Sequence, residues 1–249
     1  MNKKQKKIIA CCILYVIIFW VLYATFYFQF SAEGYRITVP LRYSFEEIAD
    51  NIYVNKGYSG EIEKITDRIA EAKERDSAFF GRLKYTDDIV FIICDDNKIL
   101  KKLGGENDTI TVNFPFSKSY ISVSDEYLNI DTLAHELSHA ELHLRLSGRA
   151  MEKIPAWFDE GVATQNDYRR KYSMEAWIEK TDNGKNRVPL ENMDTLSDFG
   201  GGSAADRYLK YLTAKYEVSE WIDVHHREGL LELIDRLNNG EDFYSVYGR

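Results

Sequence analysis

Cysteine is scarce in this chain, and its few positions limit its uses. Only three occur in 249 residues; Cys11 and Cys12 lie close to the N-terminus and Cys94 stands alone in the rest. No internal disulfide framework can form downstream. Proline is limited to four positions and histidine to five, and no internal repeat or low-complexity tract is present. Charge is missing altogether from Ile8 to Phe30, a run of 23 residues. Basic residues are also in deficit: the whole chain carries −8, its first seven residues contribute +4, and −12 is left on the remainder. Such a balance disfavours nucleic acid or anionic lipid as a ligand and favours a protein or peptide partner.

The uncharged run is long enough to cross a bilayer. At about 1.5 Å per residue it reaches roughly 34 Å, against a hydrocarbon core of about 30 Å. Lys3, Lys4, Lys6 and Lys7 precede it and place the N-terminus on the cytoplasmic side. A cleaved signal peptide would have a shorter apolar region, and cleavage after Ala32 would put Phe30 at the −3 position. Ile8-Ile9-Ala10-Cys11 superficially resembles a lipoprotein box, but only two apolar residues precede Cys11. The expected organisation is a cytoplasmic tail at 1–7, an uncleaved transmembrane anchor at 8–30 and an extracytoplasmic domain at 31–249. The last is long enough for one sizeable core.

Within that domain, Asn51 to Asn55 suggests a short strand. Gly60 to Phe80 carries Ile62, Ile65, Ile69, Ala72 and Phe79 at helical spacing. Ile89 to Ile93 is a continuous apolar run expected to be a central strand, with Cys94 at its end as a small buried hydrophobe. Lys98 to Leu103 is expected as a short helix before Gly104-Gly105, and Thr109 to Phe114 and Ser119 to Ser124 alternate as strands do. Beyond Tyr168 helices dominate, broken by a polar turn at Thr181 to Asn186 and a glycine-rich connector at Asp198 to Ser203. The expected class is α+β.

Two of the five histidines stand four apart, with a glutamate beside the first: His135-Glu136-Leu137-Ser138-His139. Four residues turn a helix through about 400°, so both imidazoles project from one face and can share a metal ion. Leu133, Ala134, Leu137, Ala140, Leu142 and Leu144 make the segment apolar on much of its circumference, as suits a buried helix. Glu136 is suited to be a general base acting on water without ligating the metal. Catalytic zinc takes three protein ligands, so a third is needed. Glu160, 21 positions after His139, is the best candidate. Gly148 can end the first helix and Pro155 can start a second that returns across it. His143, one turn further along, is expected to point past the metal in a structural or supporting role.

His135-Glu136-Leu-Ser-His139 followed by Trp157-Phe-Asp-Glu160-Gly-Val-Ala resembles the gluzincin zinc metallopeptidases, the group that includes thermolysin-like enzymes and membrane-alanyl-type aminopeptidases. The resemblance covers roughly residues 50 to 245. It implies a sheet lobe, a motif helix and a helical C-terminal lobe. It also implies zinc on His135, His139 and Glu160, and Glu136 as general base. No Gly-x-Met-Glu-Asn exopeptidase run occurs upstream. In that group an edge strand before the motif helix pairs with substrate backbone, and Tyr120 to Ser124 is expected in that place. Tyr216, in a Tyr-x-x-Ser segment like that of membrane-tethered gluzincins, is the expected oxyanion donor, with His225 and His226 as rivals. The function expected is zinc-dependent hydrolysis of peptide bonds outside the cytoplasm. The alternative is a zinc-stabilised binding or scaffold protein without turnover.

Overall fold

The computed structural model describes residues 3–84, 89–105, 110–113 and 118–248. Met1 and Asn2 of the expected tail, and Thr109 and Phe114 at the ends of one expected strand, lie outside the described residues. Helix α1 (Lys3–Phe30) leads the chain and is long and apolar enough to cross a membrane. After one non-helical residue comes the short α2 (Ala32–Ile37).

Strands β1 (Phe45–Ala49) and β2 (Ile52–Asn55) form an antiparallel hairpin across Asp50-Asn51, where Asn51 adopts φ 58°. The expected strand at 51–55 is thus the second arm of a hairpin whose first arm, Phe-Glu-Glu-Ile-Ala, has almost no apolar alternation to announce it. Helix α3 (Ile62–Phe80) buries Ile65, Ile69, Ala72, Asp76 and Phe80, one face at a spacing of three and four. Strand β3 (Ile89–Cys94) runs parallel to β2 on one side and to β5 (Ser119–Ser124) on the other. Between them in sequence lie α4 (Asn97–Lys102) and β4 (Ile110–Asn113), which is antiparallel to β5.

The sheet order is β1-β2-β3-β5-β4. The expectation that Tyr120 to Ser124 forms an edge strand is therefore corrected: β5 is interior and β4 closes the sheet on that side. Sequence proximity to the motif helix does not reveal this, because β4 doubles back outside its successor. β3 is buried along its whole length, which accounts for its unbroken apolar run. Ile89, Phe91 and Ile93 pack with residues of α3 and the motif helix, and Val90, Ile92 and Cys94 pack with Tyr35 and Leu100 on the opposite face. Burial pushes the Cys94 thiol up to about 12, so it stays protonated.

The rest is helical. The motif helix α5 (Ile130–Arg145) is capped by Asn129, whose side chain accepts from the Thr132 amide at 2.9 Å. It stops at Arg145, and Gly148 opens the short α6 (Gly148–Met151) instead of closing α5. Pro155 caps α7 (Ala156–Gln165), as its fixed φ favours. α8 (Met174–Thr181) and α9 (Leu196–Gly200) follow, so the expected connector at 198–203 is helical through Gly200. The long α10 (Ala204–Asn238) starts at a Ser203/Asp206 capping box and is interrupted at His226, where φ is 60°. α11 (Phe243–Tyr247) returns its Phe243 and Tyr247 rings to Trp157, at centroid distances of 5.7 and 5.3 Å.

Two buried polar networks hold α5 in place. The Ser138 hydroxyl donates to Asp76 of α3 at 2.7 Å, and Asn166, just after α7, donates to Asp76 at 2.8 Å and to Ser138 at 2.7 Å. One turn later, Glu141 accepts from the Lys84 backbone amide with both oxygens and from Arg145 at 2.6 Å. Groups so buried are stable only when bonded, so each network ties α5 to one arrangement of its neighbours.

Candidate metal centre

α7 packs between α5 and α10 because Gly161 permits it. A Cβ there would sit 2.6 Å from the Ala214 carbonyl of α10, inside van der Waals contact. The close approach turns the preceding residue, Glu160, toward α5.

His135, His139 and Glu160 converge there. The two Nε2 atoms lie 3.2 Å apart, and Glu160 Oε2 lies 3.4 Å from the first and 3.5 Å from the second. Donors about 2.0 to 2.2 Å from a tetrahedral zinc stand roughly 3.3 to 3.6 Å from one another. The three atoms therefore trace one face of such a tetrahedron. Glu160 Oε2 is buried and makes no well-aligned hydrogen bond among the described residues, its nearest charged neighbours being the two imidazoles at 3.4 and 3.5 Å, a position that a shared cation would complete. The donor set and this orphaned atom fit a divalent metal. Glu136 joins the three in lining a cleft of about 540 Å³, whose wall also includes Tyr211.

Behind the triangle stands Asp159. Its Oδ1 lies 2.8 Å from Nδ1 of His139 and its Oδ2 lies 2.8 Å from Nε2 of His143. His139, His143 and Asp159 also gather donors near one another, with both histidine–carboxylate separations at hydrogen-bond length. His143, expected in a structural or supporting role, contacts the far oxygen of Asp159. An Nδ1–H bonded to a carboxylate leaves Nε2 unprotonated for a metal.

The charges interlock. Burial works to lower the His139 imidazole, yet the Asp159 and Glu160 carboxylates outweigh it and hold the ring well above its ordinary value. Burial likewise works to raise both acids, but the histidines prevail: Glu160 is held at about 2 and Asp159 far below the carboxylate range. Without a metal, a proton on His139 supplies the positive charge that the carboxylates require.

Tyr216 does not join the cleft. Its ring stacks on Trp177 with centroids 4.3 Å apart, its hydroxyl donates to Glu220 at 2.8 Å, and it lines a separate cavity with Arg169, Tyr172 and Lys215. Tyr211 is the tyrosine in the wall of this cleft, its ring centroid 6.3 Å from that of His135. Five residues along a helix turn through about 500°, so the two tyrosines face directions roughly 140° apart. His225 stacks on Trp221 instead, at 4.3 Å, and His226 occupies the break in α10. Sequence reasoning also passed over Asp159, whose one signal was its place beside Glu160. No family model and no curated protein matches the chain.

Proposed function

We propose that this chain is a membrane-anchored zinc peptidase of the gluzincin type, acting on peptides or proteins on the extracytoplasmic side. The observation that carries the reading is the donor triangle of His135, His139 and Glu160, with tetrahedral edge lengths and an orphaned carboxylate oxygen, next to Glu136 in one open cleft. The sheet and the helical half would be the two lobes of that family. α1 would be the anchor, with its lysines inside.

Bound there, zinc would polarise the scissile carbonyl and acidify water. Glu136 would accept the proton of the attacking water and pass it to the leaving amine, a role typically worth 10² to 10⁴ in rate. Tyr211, and not Tyr216, would donate to the developing oxyanion, because it lines the cleft beside His135. Asp159 would hold His139 with Nε2 toward the metal. The outer edge of β4, which ends the sheet, would pair with the extended substrate backbone in the role first expected of β5.

Glu136→Gln tests the reading, since it preserves shape and removes the base. Zinc content and melting temperature should stay at the parent's level while cleavage of a peptide selected from a library falls by about 10² to 10⁴. Unchanged cleavage would exclude Glu136 as base. A parent that binds zinc but cleaves nothing across the library would leave a zinc-stabilised binding protein.

A further inference from the structure

The joint between α1 and the domain is closed and has the features of a rigid connection. Ser31 is the one residue that breaks the helix, and hydrogen bonding runs through it: its amide donates to the Tyr27 carbonyl at 3.0 Å, its hydroxyl donates to the same carbonyl at 2.8 Å, and its carbonyl accepts from Tyr35 at 2.9 Å. The same hydroxyl accepts from the Gly34 amide at 3.0 Å. Gly34 lies so near the last turns of α1 that a Cβ would strike the Tyr27 carbonyl and come within 2.7 Å of Phe28 Cα. From further along the chain Arg42 reaches back to the Phe28 carbonyl, one of those a helix end leaves without an internal partner. Its guanidinium also bonds Thr38 at 2.8 Å and lies 3.7 Å above the Tyr35 ring. Tyr35 in turn is buried with Phe45, Val90 and Tyr120 of the sheet. The connection therefore runs from the apolar helix to the core with no flexible linker between.

This geometry fixes where the neighbours of Arg42 stand. Leu41 and Tyr43 are the sequence neighbours of the residue that contacts the last turn of the span. They are 86% and 85% exposed, more than any large apolar residue on α1, where Tyr15 reaches 75%. The Lys56 ammonium sits 3.3 Å over the Tyr43 ring, and Lys102 lies 5.8 Å from that of Tyr35. Leucine and tyrosine at interfacial depth, interleaved with cations that can reach phosphate, match the chemistry of the headgroup layer. These cations also stand out in a domain whose net charge, with them included, is −12.

We propose that the face bearing Leu41, Tyr43 and Lys56 docks on the bilayer that α1 spans, so that anchor and domain form one rigid body on the membrane surface. The proposal rests on the anchor reading of α1. The occupant is the lipid surface because the face continues directly from the span.

Spin labels test it in the full chain, reconstituted in vesicles containing phosphatidylglycerol, with Cys11→Ser and Cys12→Ser and with Cys94 buried. Labels are placed singly by Leu41→Cys, Tyr43→Cys, Val16→Cys in the span, and Val224→Cys, a position 72% exposed on α10. Collision with a water-soluble nickel chelate should be several-fold lower at 41 and 43 than at 224, and lowest at 16. Equal access at 41, 43 and 224, with 16 still shielded, overturns the docking while leaving the anchor. Free access at 16 overturns the anchor reading and the docking with it.

Discussion

Asp159 Oδ1 lies 2.8 Å from Nδ1 of His139, while Nε2 of the same ring faces Glu160 Oε2 at 3.5 Å. One imidazole thus connects two adjacent acidic residues of α7, one acid at each of its ring nitrogens. The arrangement needs α7 to cross α5 with both carboxylates presented to one face, which makes it sensitive to changes well away from the histidines.

Metal content should follow this division of roles. The purified full chain should carry close to one zinc per molecule, and Glu160→Ala should lose most of it. Asp159→Asn should retain the site with affinity lower by roughly 10- to 100-fold, the usual cost of removing such a support. Elemental analysis and competition with a chelator measure both. Full occupancy in Glu160→Ala removes Glu160 from the ligand set.

Above about pH 6.5, the stability of the metal-free fold and its metal binding should depend on pH in opposite senses. His139 is raised in the metal-free fold, so its contribution is fully present below about 6.5 and is lost as pH rises through its folded value. Glu160, lowered to about 2, contributes above its unfolded value of roughly 4.3 and loses that contribution as pH falls toward 2. Zinc must displace the proton on His139, so it binds more tightly as pH rises. The gap in melting temperature between zinc-loaded and chelator-treated protein should widen upward from about pH 6.5. A constant gap across that window contradicts the assignment.

The two tyrosines of α10 separate cleanly. Tyr211→Phe should lower kcat by about 10² with zinc content intact, as loss of an oxyanion donor does elsewhere. Tyr216→Phe breaks the bond to Glu220 and leaves the cleft untouched, so its kcat should match the parent's. The reverse pattern would restore the expectation drawn from the sequence.

Gly161→Ala probes the packing that aims Glu160. The added methyl meets the Ala214 carbonyl and the Val218 side chain, and overpacking of this kind costs about 1 to 3 kcal/mol. Thermal unfolding should show the loss, with weaker zinc binding alongside it. Unchanged stability would mean that the α7 and α10 backbones separate at little cost.

The sequence alone determined whatever depends on short range. Helical periodicity put His135 and His139 on one face, the uncharged run marked α1, and the apolar run from Ile89 marked the central strand, because neighbouring residues constrain one another through local geometry. Glu160 was legible too as a candidate, since a two-histidine site calls for a third donor, and its carboxylate does converge with the two histidines.

Tertiary structure decided the rest, where elements distant in sequence had to be brought into register. β4 lies outside β5 because the sheet reverses there, and nothing in either strand's composition records that. Asp159 reaches His139 and His143, and Tyr211 turns toward His135 while Tyr216 turns away, because Gly161 lets α7 settle at one depth and one rotation against α10. Helical phase is periodic within a helix, but the phase of one helix relative to another is fixed only when their side chains interlock.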